Sequence, residues 1–391
     1  MALDAVGSLA VAALVILLGR ALHRGFPALT RWHIPEPVSG GTAWALGVAL
    51  LHLAGAPVPE TSAAIREPML LAFFATVGLS ADLRQLLQGG ALLARFALLT
   101  VALILAQNAL GVGLALALGL DPLIGLLAGS VTLVGGHGTG AAFGALFARD
   151  YGLPAALELA VAASTLGIVI GGLLAGPVAR GLGGGAFGPA GDDSPPPPPR
   201  RPDEAALAPT LALVLLCVAA ALALVPLARN WPVTLPDFLW ALLAGVLLRN
   251  LILAPLRQPP PPPALEALSG VTLALFLALA MAALRLWELV ALAGPLLLLL
   301  AAQTLATALF ARWLVFHVMG RDAEAAVCAA GFFGFAIGST ATAVATMREM
   351  ENRHGPMPRA ILIVSLTAGL FVTLANALLL SLILVLPLFA R

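Results

Sequence analysis

The chain has 391 residues, of which 61% are apolar and 10% are charged, and its mean hydropathy is +1.03. This composition supplies too few polar groups to cover a water-soluble globule of this size, so it predicts an all-α polytopic membrane protein. The net charge of +1 gives no indication of a nucleic-acid partner. All 20 basic residues are arginine, which removes the phosphate-binding lysine of a P-loop.

Apolar runs separated by polar breaks predict five membrane spans before a proline-rich segment, at about 4–22, 38–56, 67–84, 91–118 and 155–180. Five more follow that segment, at about 208–228, 235–254, 266–289, 291–318 and 359–388. A helix needs roughly 20 apolar residues to cross a bilayer. Because the basic residues follow the first run and do not precede it, we expect a first span and not a cleaved signal peptide.

Two apolar stretches interrupted by glycine remain, at about 121–150 and 321–355, each between the fourth and fifth span of its half. The Gly- and Pro-rich linker 181–207 separates an N-terminal half, 1–180, from a C-terminal half, 208–391. A shift of 200 residues places GHGTGAAFGALF, from Gly136, on AIGSTATAVATM, from Ala336. The two halves therefore form a weak internal repeat.

An odd number of spans in each half predicts that the two repeats have inverted topology. With five spans per half, 15 of the 20 arginines fall on the side that carries the linker. The positive-inside rule then makes the linker cytoplasmic and both termini periplasmic. If each interrupted stretch were a full span, each half would have six spans and the arginines would divide more evenly.

The interrupted stretches are predicted to be re-entrant hairpins, because non-helical backbone at membrane depth is tolerated only around a cavity or inside protein. The start of a half-helix offers free N–H groups to an anion, and its end offers carbonyls to a cation such as Na⁺. The predicted solute-binding residues are Gly135, Gly136, His137, Gly138, Thr139, Gly140, Gly338, Ser339 and Thr340. Close helix packing is the alternative use of glycine, and we favour it for Gly171, Gly172 and Gly176.

Further polar residues lie inside the predicted spans and interrupted stretches. Gln107 and Asn108 fit a role in the site and a role as interhelical hydrogen-bonding residues equally well. The predicted cation-binding residues are Gln107, Asn108, Thr132, Ser164, Thr165 and Thr342. Cys217 and Cys328 are the only cysteines, both lie in apolar runs, and neither a disulfide framework nor a cysteine metal site can be built from them.

An enzyme is not expected, because the chain has neither a G-x-S-x-G elbow nor an HExxH zinc motif. A passive channel stays open as an alternative, since glycine-broken hairpins also build selectivity filters. Two opposed hairpins in inverted halves favour a carrier that works by alternating access.

Several segments resemble the bacterial sodium/glutamate symporter family, in order along nearly the whole chain. They are IPEPVSGG (34–41), REPMLLAFFATVGLSADL (66–83), QNALGVG (107–113), LDPLIGLLAGSVTLVGGHGTGAAF (120–143), GGLLAGPVAR (171–180) and TLALFLALAMAALRLWEL (272–289). The resemblance implies Na⁺-coupled glutamate uptake across a bacterial inner membrane by a homodimer, with two inverted five-helix repeats and re-entrant hairpins. A carrier of a 2-hydroxycarboxylate such as citrate or malate is the alternative.

The resemblance also adds Asn376, in FVTLANALL (371–379), to the solute-binding residues. This chain departs from the family pattern near Phe332, where relatives carry a histidine, within GSTATA, where they carry a proline, and at Thr373, where an acidic residue is common. A buried carboxylate would pair with a substrate ammonium group or with Na⁺. Thr373 therefore leaves the exact substrate and the ion stoichiometry open.

Overall fold

A computed structural model describes residues 3–31, 34–59, 61–84, 90–182, 203–228, 235–284, 292–354 and 357–389. Across these ranges the regular secondary structure is helical, and no strand occurs in them. Most of the predicted linker 181–207, the predicted span residues 285–289 and Arg391 lie outside the described residues.

Seventeen helices follow one another along the described chain. They are α1 Ala5–Gly25, α2 Pro27–Arg31, α3 Glu36–Leu53, α4 Ala63–Ser80, α5 Gly90–Ala117, α6 Pro122–Leu126, α7 Gly136–Asp150, α8 Ala156–Leu182, α9 Glu204–Ala228, α10 Asp237–Leu247, α11 Pro262–Ala282, α12 Ala293–Leu309, α13 Phe316–Met319, α14 Ala323–Ile337, α15 Thr340–His354, α16 Pro358–Leu366 and α17 Val372–Ile383. The π-helical segments Leu127–Val131, Leu248–Leu253, Phe310–Val315 and Thr367–Phe371 extend α6, α10, α12 and α16.

Six of these helices are long and apolar enough to cross a membrane within the described residues. They are α1, α5, α8, α9, α11 and the run from α12 through α13, and the pair α16 and α17, bent by 42°, makes a seventh if it is one span. The prediction of an all-helical, multi-span membrane protein is confirmed at this level. The count of ten crossings and the inverted repeat stay predictions.

Side-chain caps and proline start several helices where the apolar runs begin. Asp4 accepts a hydrogen bond from the Gly7 N–H at 2.7 Å, and Asp322 accepts one from the Ala325 N–H at 2.8 Å. Such caps satisfy N–H groups that have no partner in the first turn of a helix. Asp121 caps α6 in the same way, which fixes the start of the first interrupted stretch.

The described chain divides into two compact units. Unit 1 comprises Met1–Leu83, Ala145–Glu158 and Pro199–Ala291, and unit 2 comprises Arg84–Gly144, Leu159–Pro198 and Leu292–Arg391. Unit 1 contains α1, α3, α4, α9, α10 and α11. Unit 2 contains α5, α6, most of α7 and α8, and α12 to α17, so both interrupted stretches lie mainly in unit 2.

In unit 1, pairs of helices approach closely at glycines. A Cβ on Gly40 would collide with the Val15 carbonyl of α1, and a Cβ on Gly78 would collide with the Leu242 carbonyl of α10. An ion pair adds to the second crossing, since Arg249 lies 3.0 Å from the Asp82 carboxylate. Small residues are the usual means by which membrane helices pack without side chains between them.

In unit 2, the first broken helix is held against α5 in the same manner. A Cβ on Gly111 of α5 would collide with the Gly125 carbonyl of α6. Aromatic rings fill the space beside α14: Phe332 stacks on Phe310 with ring centroids 5.8 Å apart and meets Phe96 edge-on at 5.3 Å. Close backbone contacts and aromatic packing therefore hold the two interrupted stretches in unit 2.

Candidate solute and cation site

The first broken helix lies between α5 and α7. Within its π-helical part, Leu127–Val131, Gly129 has the non-helical torsions φ −101° and ψ −137°. Thr132, a predicted cation ligand, donates its hydroxyl to the Leu127 carbonyl at 2.6 Å, so that one carbonyl near the break has a partner. Glycine thus interrupts this apolar helix at Gly129, upstream of the glycines that the sequence had pointed to.

A short turn then leads into α7. Gly136, its first residue, has a φ of +65°, which glycine adopts without the steric cost that a Cβ brings. A Cβ on Gly135 would lie 2.6 Å from the Cβ of Thr139, which is too close. Gly138, Thr139 and Gly140 are buried inside α7. Of the predicted tip residues, only Gly135 and Gly136 lie at the turn itself.

A buried group of polar side chains surrounds Ser130, one residue after the break. The Ser130 Oγ lies 2.9 Å from Asn108 Oδ1 and 2.7 Å from Asn376 Oδ1. Asn376 Nδ2 donates to the Ser130 carbonyl at 2.8 Å, and the Ser130 N–H donates to Asn108 Oδ1 at 3.3 Å. Because Asn108 belongs to α5 and Asn376 to α17, two separate helices bind the broken one.

A second polar group joins the start of α7 to α8. The Thr165 hydroxyl donates to the Val161 carbonyl at 2.8 Å and lies 3.1 Å from His137 Nε2. Since a hydroxyl has one hydrogen, His137 donates through Nε2 in this pair. Ser164 Oγ donates to the Gly136 carbonyl at 3.3 Å. Predicted solute-binding and cation-binding residues are thus in direct contact here.

The second interrupted stretch is broken at Gly338, between α14 and α15. Gly338 has φ −115° and ψ −91°, it closes α14, and α15 begins at Thr340. Ser339 Oγ accepts from the Thr342 N–H at 3.2 Å and lies 3.1 Å from Thr342 Oγ1, as a helix N-cap does. Thr340 Oγ1 lies 3.5 Å from the Ala368 carbonyl. The predicted residues of this stretch therefore lie at the gap between two helices.

Two buried glutamines bridge the long helices beside these breaks. Gln107 Nε2 donates to the Ala336 carbonyl of α14 at 3.1 Å and to Thr307 Oγ1 of α12 at 3.0 Å. Gln303 Nε2 donates to the Gln107 carbonyl at 2.7 Å. The Oε1 atoms of both glutamines have no hydrogen-bond partner among the described residues. Gln107 therefore has the interhelical role that the sequence left open, and its side chain supports the second break.

α8 approaches the second break through small residues. A Cβ on Gly167 would lie 2.6 Å from the Ile337 carbonyl oxygen, and a Cβ on Gly171 would lie 2.9 Å from Gly338 Cα. Gly172 faces open space, with nothing within 4 Å of its Cβ position. Gly171 is a packing residue, as we favoured, and the partner that it packs against is the second break.

The chemistry of the site is that of neutral oxygen and nitrogen groups. Among the described residues, no group of three His, Cys, Asp or Glu side chains is placed to hold a metal ion. Hydroxyl and amide oxygens suit hard cations, whereas transition metals prefer imidazole and thiolate ligands. Backbone N–H groups at the starts of α7 and α15 supply the complementary donors for an anionic group.

Three residues of these networks escaped the sequence-based selection. They are Ser130, Gln303 and Thr307. For Gln303 a signal existed, because the internal repeat placed it near Gln107. For Ser130 the signal was the Gly-Ser pair inside LLAGSVTLV, which is polar and flexible in an apolar helix. The doubled glycine that follows it, Gly135 and Gly136, is the more conspicuous feature of the sequence.

Helices that fit a bilayer, together with two interrupted helices that carry polar groups, define a multi-pass membrane protein. The family model described as "Sodium/glutamate symporter" matches residues 1–184 and 198–356. The chain is 41% identical to the sodium/glutamate symporter of Escherichia coli strain K12 over 397 aligned positions, which cover 99% of each chain. It is 38% identical to that of Haemophilus influenzae over 387 positions, which cover 96% of this chain and 95% of the relative.

The same level of identity, 41% with 99% of each chain covered, relates it to the sodium/glutamate symporter of Shigella flexneri. The chain belongs to the sodium/glutamate symporter family. The family resemblance of the motifs is therefore confirmed, and the family is one of transporters and not of enzymes.

Proposed function

We propose that this chain takes up glutamate together with Na⁺ and works by alternating access. The observation that carries the proposal is the family match, which spans both broken helices. The relatives that match along nearly their whole length are named sodium/glutamate symporters. That name does not favour the 2-hydroxycarboxylate alternative.

Glutamate carries two carboxylates and one ammonium group, and the proposed site offers hydrogen-bond donors for the carboxylates. The N–H groups at the starts of α7 and α15 attract carboxylates, because the first turn of a helix has unpaired donors and a positive dipole end. Gly135 to Gly140 and Gly338 to Thr340 lie at these two starts. His137, which donates through Nε2 to Thr165, adds a side chain next to the first of them.

The two interrupted stretches are proposed to be re-entrant hairpins in two inverted repeats. The order of elements in unit 2 supports this: α5, α6, α7 and α8 recur as α12 with α13, α14, α15 and α16 with α17. In unit 1, α1, α3 and α4 recur as α9, α10 and α11. An odd number of spans per repeat would place the two hairpins on opposite sides of the membrane.

The membrane is proposed to be the bacterial inner membrane, with both termini in the periplasm and the proline-rich linker in the cytoplasm. The arginine distribution supports this orientation. A reporter fused after Arg391 is expected to be active only in its periplasmic form. Activity of a cytoplasmic reporter at that position would contradict the five-plus-five topology.

A homodimer is proposed on the family resemblance alone. Its test is the mass of the purified protein in detergent or in nanodiscs, with the mass of bound lipid and detergent subtracted. A protein mass close to that of one 39.7 kDa chain would contradict it.

Uptake by purified protein in proteoliposomes tests the function. We expect labelled glutamate to accumulate under an inward Na⁺ gradient, with saturation, and to exchange against internal glutamate. Accumulation driven by a proton gradient without Na⁺ would contradict the proposal.

Competition by unlabelled aspartate, malate and citrate, added in turn, defines the substrate. Stronger competition by citrate or malate than by glutamate would favour a 2-hydroxycarboxylate carrier instead.

The same vesicles separate a carrier from a passive channel. A channel would let glutamate equilibrate without a Na⁺ gradient and would show no exchange acceleration, whereas a carrier is accelerated by substrate on the opposite side. Flux that neither saturates nor depends on Na⁺ would therefore favour the channel.

A further inference from the structure

At the Ser130 hydroxyl, two amide oxygens lie within hydrogen-bond distance of a group that has only one hydrogen to donate. The Ser130 hydroxyl has one hydrogen, yet its oxygen lies 2.9 Å from Asn108 Oδ1 and 2.7 Å from Asn376 Oδ1. One of these carbonyl oxygens must face a lone pair of the hydroxyl. Asn108 Oδ1 also accepts from the Ser130 N–H at 3.3 Å, but one of the two contacts of the Ser130 oxygen still joins two oxygens with no hydrogen between them.

Turning an amide over does not resolve the conflict. Asn376 is fixed, because its Nδ2 donates to the Ser130 carbonyl at 2.8 Å. If Asn108 were turned over, its Nδ2 would face the Ser130 N–H, 3.3 Å away, and two donors would oppose each other. In the orientation observed, Asn108 Nδ2 is buried and has no hydrogen-bond partner in the described chain, and Asn108 is 3% exposed. Neither orientation satisfies the group internally.

A fourth oxygen, the Gln107 carbonyl, lies close to Gly129 beside these three. A Cβ on Gly129 would be 3.1 Å from the Gln107 carbonyl oxygen and 3.2 Å from Asn108 Oδ1. Because residue 129 is glycine, that position holds no side-chain atom. A backbone carbonyl and an amide oxygen thus both lie close to Gly129, next to the hydroxyl and the second amide oxygen of the group.

We propose that Ser130, Asn108 and Asn376, with the Gln107 carbonyl, hold the Na⁺ ion that is carried with glutamate. A cation satisfies converging oxygens that hydrogen bonds cannot satisfy, and neutral oxygen ligands suit a hard monovalent ion. The residues come from α5, the broken helix and α17, so the ion joins three segments. This assignment rests on the proposed Na⁺ symport and identifies Ser130 and Gly129 as part of its site.

The assignment differs from the sequence-based set of cation ligands. The hydroxyls of the other four predicted ligands, Thr132, Ser164, Thr165 and Thr342, make hydrogen bonds to backbone carbonyls or to a neighbouring side chain. Gln107 contributes its backbone carbonyl, which also accepts from Gln303 Nε2 at 2.7 Å, while its side chain binds α12 and α14. Only Asn108 keeps the side-chain role that the sequence predicted for it.

The test is Na⁺ binding without glutamate, measured on the purified full-length protein. Na⁺ replaces K⁺ at constant ionic strength, and the midpoint of thermal unfolding is followed, since a ligand of the folded state raises it. We expect a saturable rise with Na⁺ in the wild-type protein. For Ser130→Ala the Na⁺ concentration needed for half of the effect should increase by about tenfold or more. An absence of any Na⁺ effect in the wild-type protein would overturn the site.

Ser381→Ala is the matched control. Ser381 is also buried, at 2% exposure, lies in α17 with Asn376, and donates only to the Ala377 carbonyl of its own helix. It should keep the wild-type Na⁺ dependence. An unchanged Na⁺ requirement in Ser130→Ala, or an equal increase in both variants, would overturn the assignment.

Two further variants decide the matter if Ser130→Ala does not fold. Gly129→Ala adds a methyl group beside the oxygens and should weaken Na⁺ binding. Asn376→Asp replaces an amide oxygen with a carboxylate and should bind Na⁺ more tightly at high pH than at low pH. A purely structural hydrogen-bond network would give Asn376→Asp no gain in Na⁺ affinity, and that result would contradict the site.

Glutamate uptake by the wild-type protein tests the proposed function separately. Uptake can therefore be Na⁺-coupled even where the assignment of the ion to Ser130 fails.

Discussion

The two broken helices of unit 2 are both interrupted at a glycine, but they differ in the residues that surround the break. At the first break, Ser130 is bound by Asn108 and Asn376 from two other helices. At the second break, one amide, Gln107, binds the Ala336 carbonyl, and aromatic rings pack around Phe332. The first break is thus bound by side-chain amides from two other helices, whereas the second has one such amide, local hydroxyls and an apolar helix packed before it.

This difference predicts a division of roles between the two broken helices. Converging oxygens at the first break suit a cation, and they would be costly to bury without one. The second break keeps its position through packing, since α8 approaches Gly338 at Gly171. Substitutions should therefore change ion dependence at the first break and uptake or stability at the second.

The largest effect is expected from Gly171→Ala. The added Cβ would lie 2.9 Å from Gly338 Cα, so α8 and the second break must move apart. Glutamate uptake per inserted molecule should fall by about tenfold or more, because a small displacement at a binding site has a large effect on rate. Gly172→Ala, the next residue, meets nothing within 4 Å and should transport normally. Equal uptake by both variants would show that the close contact between Gly171 and Gly338 is not needed for transport.

The next largest effect is expected on the Na⁺ requirement, which should change on substitution at the first break but not at the second. Asn376→Leu removes both contacts with Ser130, so the Na⁺ concentration for half-maximal uptake should rise by about tenfold. Gln107→Leu removes the bonds to Ala336 and Thr307 and should lower stability by about 1–3 kcal/mol. Its Na⁺ requirement should stay within about twofold of wild type. A larger increase in the Na⁺ concentration for half-maximal uptake in Gln107→Leu than in Asn376→Leu would contradict the assignment of the ion to the first break.

A smaller effect is expected at the paired glycines of the repeat. In Gly338→Ala the Cβ would lie 3.0 Å from the Gly334 carbonyl oxygen and 3.1 Å from Thr342 Oγ1, a crowding that a small shift can relieve. Gly338→Ala and Gly138→Ala should therefore reduce uptake more than they reduce protein level. Gly176→Ala, in the C-terminal part of α8, serves as the control and should act mainly through protein level. Parallel losses of level and uptake in all three would contradict a role in the site.

The smallest effect on transport is expected from Phe332→Leu. Phe332 is fully buried and meets Phe96 and Phe335 edge-on, contacts that contribute about 0.5–1.5 kcal/mol beyond burial. Stability in detergent should fall by about 1–2 kcal/mol, while the Na⁺ requirement stays unchanged. A changed Na⁺ requirement would show that the second break also takes part in ion binding.

Much of this arrangement could be predicted from the sequence, because length and hydropathy are local properties. Apolar runs gave the long helices, and glycine in an apolar run gave the two interrupted stretches. The break at Gly129 was missed, since the more conspicuous GGHGTG follows it. The contact between Ser130 and Asn376 spans 246 residues, and no periodicity reveals such a pair. The tertiary packing of α17 against the broken helix brings these two residues together.

The mutual dependence of Na⁺ and glutamate binding tests the central claim most directly. The measurement is the affinity for glutamate at several Na⁺ concentrations, and the affinity for Na⁺ at several glutamate concentrations, on the wild-type protein. Coupled binding predicts that each ligand raises the affinity for the other by the same factor, because the coupling free energy is shared. Glutamate affinity that is equal with and without Na⁺ would contradict Na⁺-coupled glutamate transport by this chain.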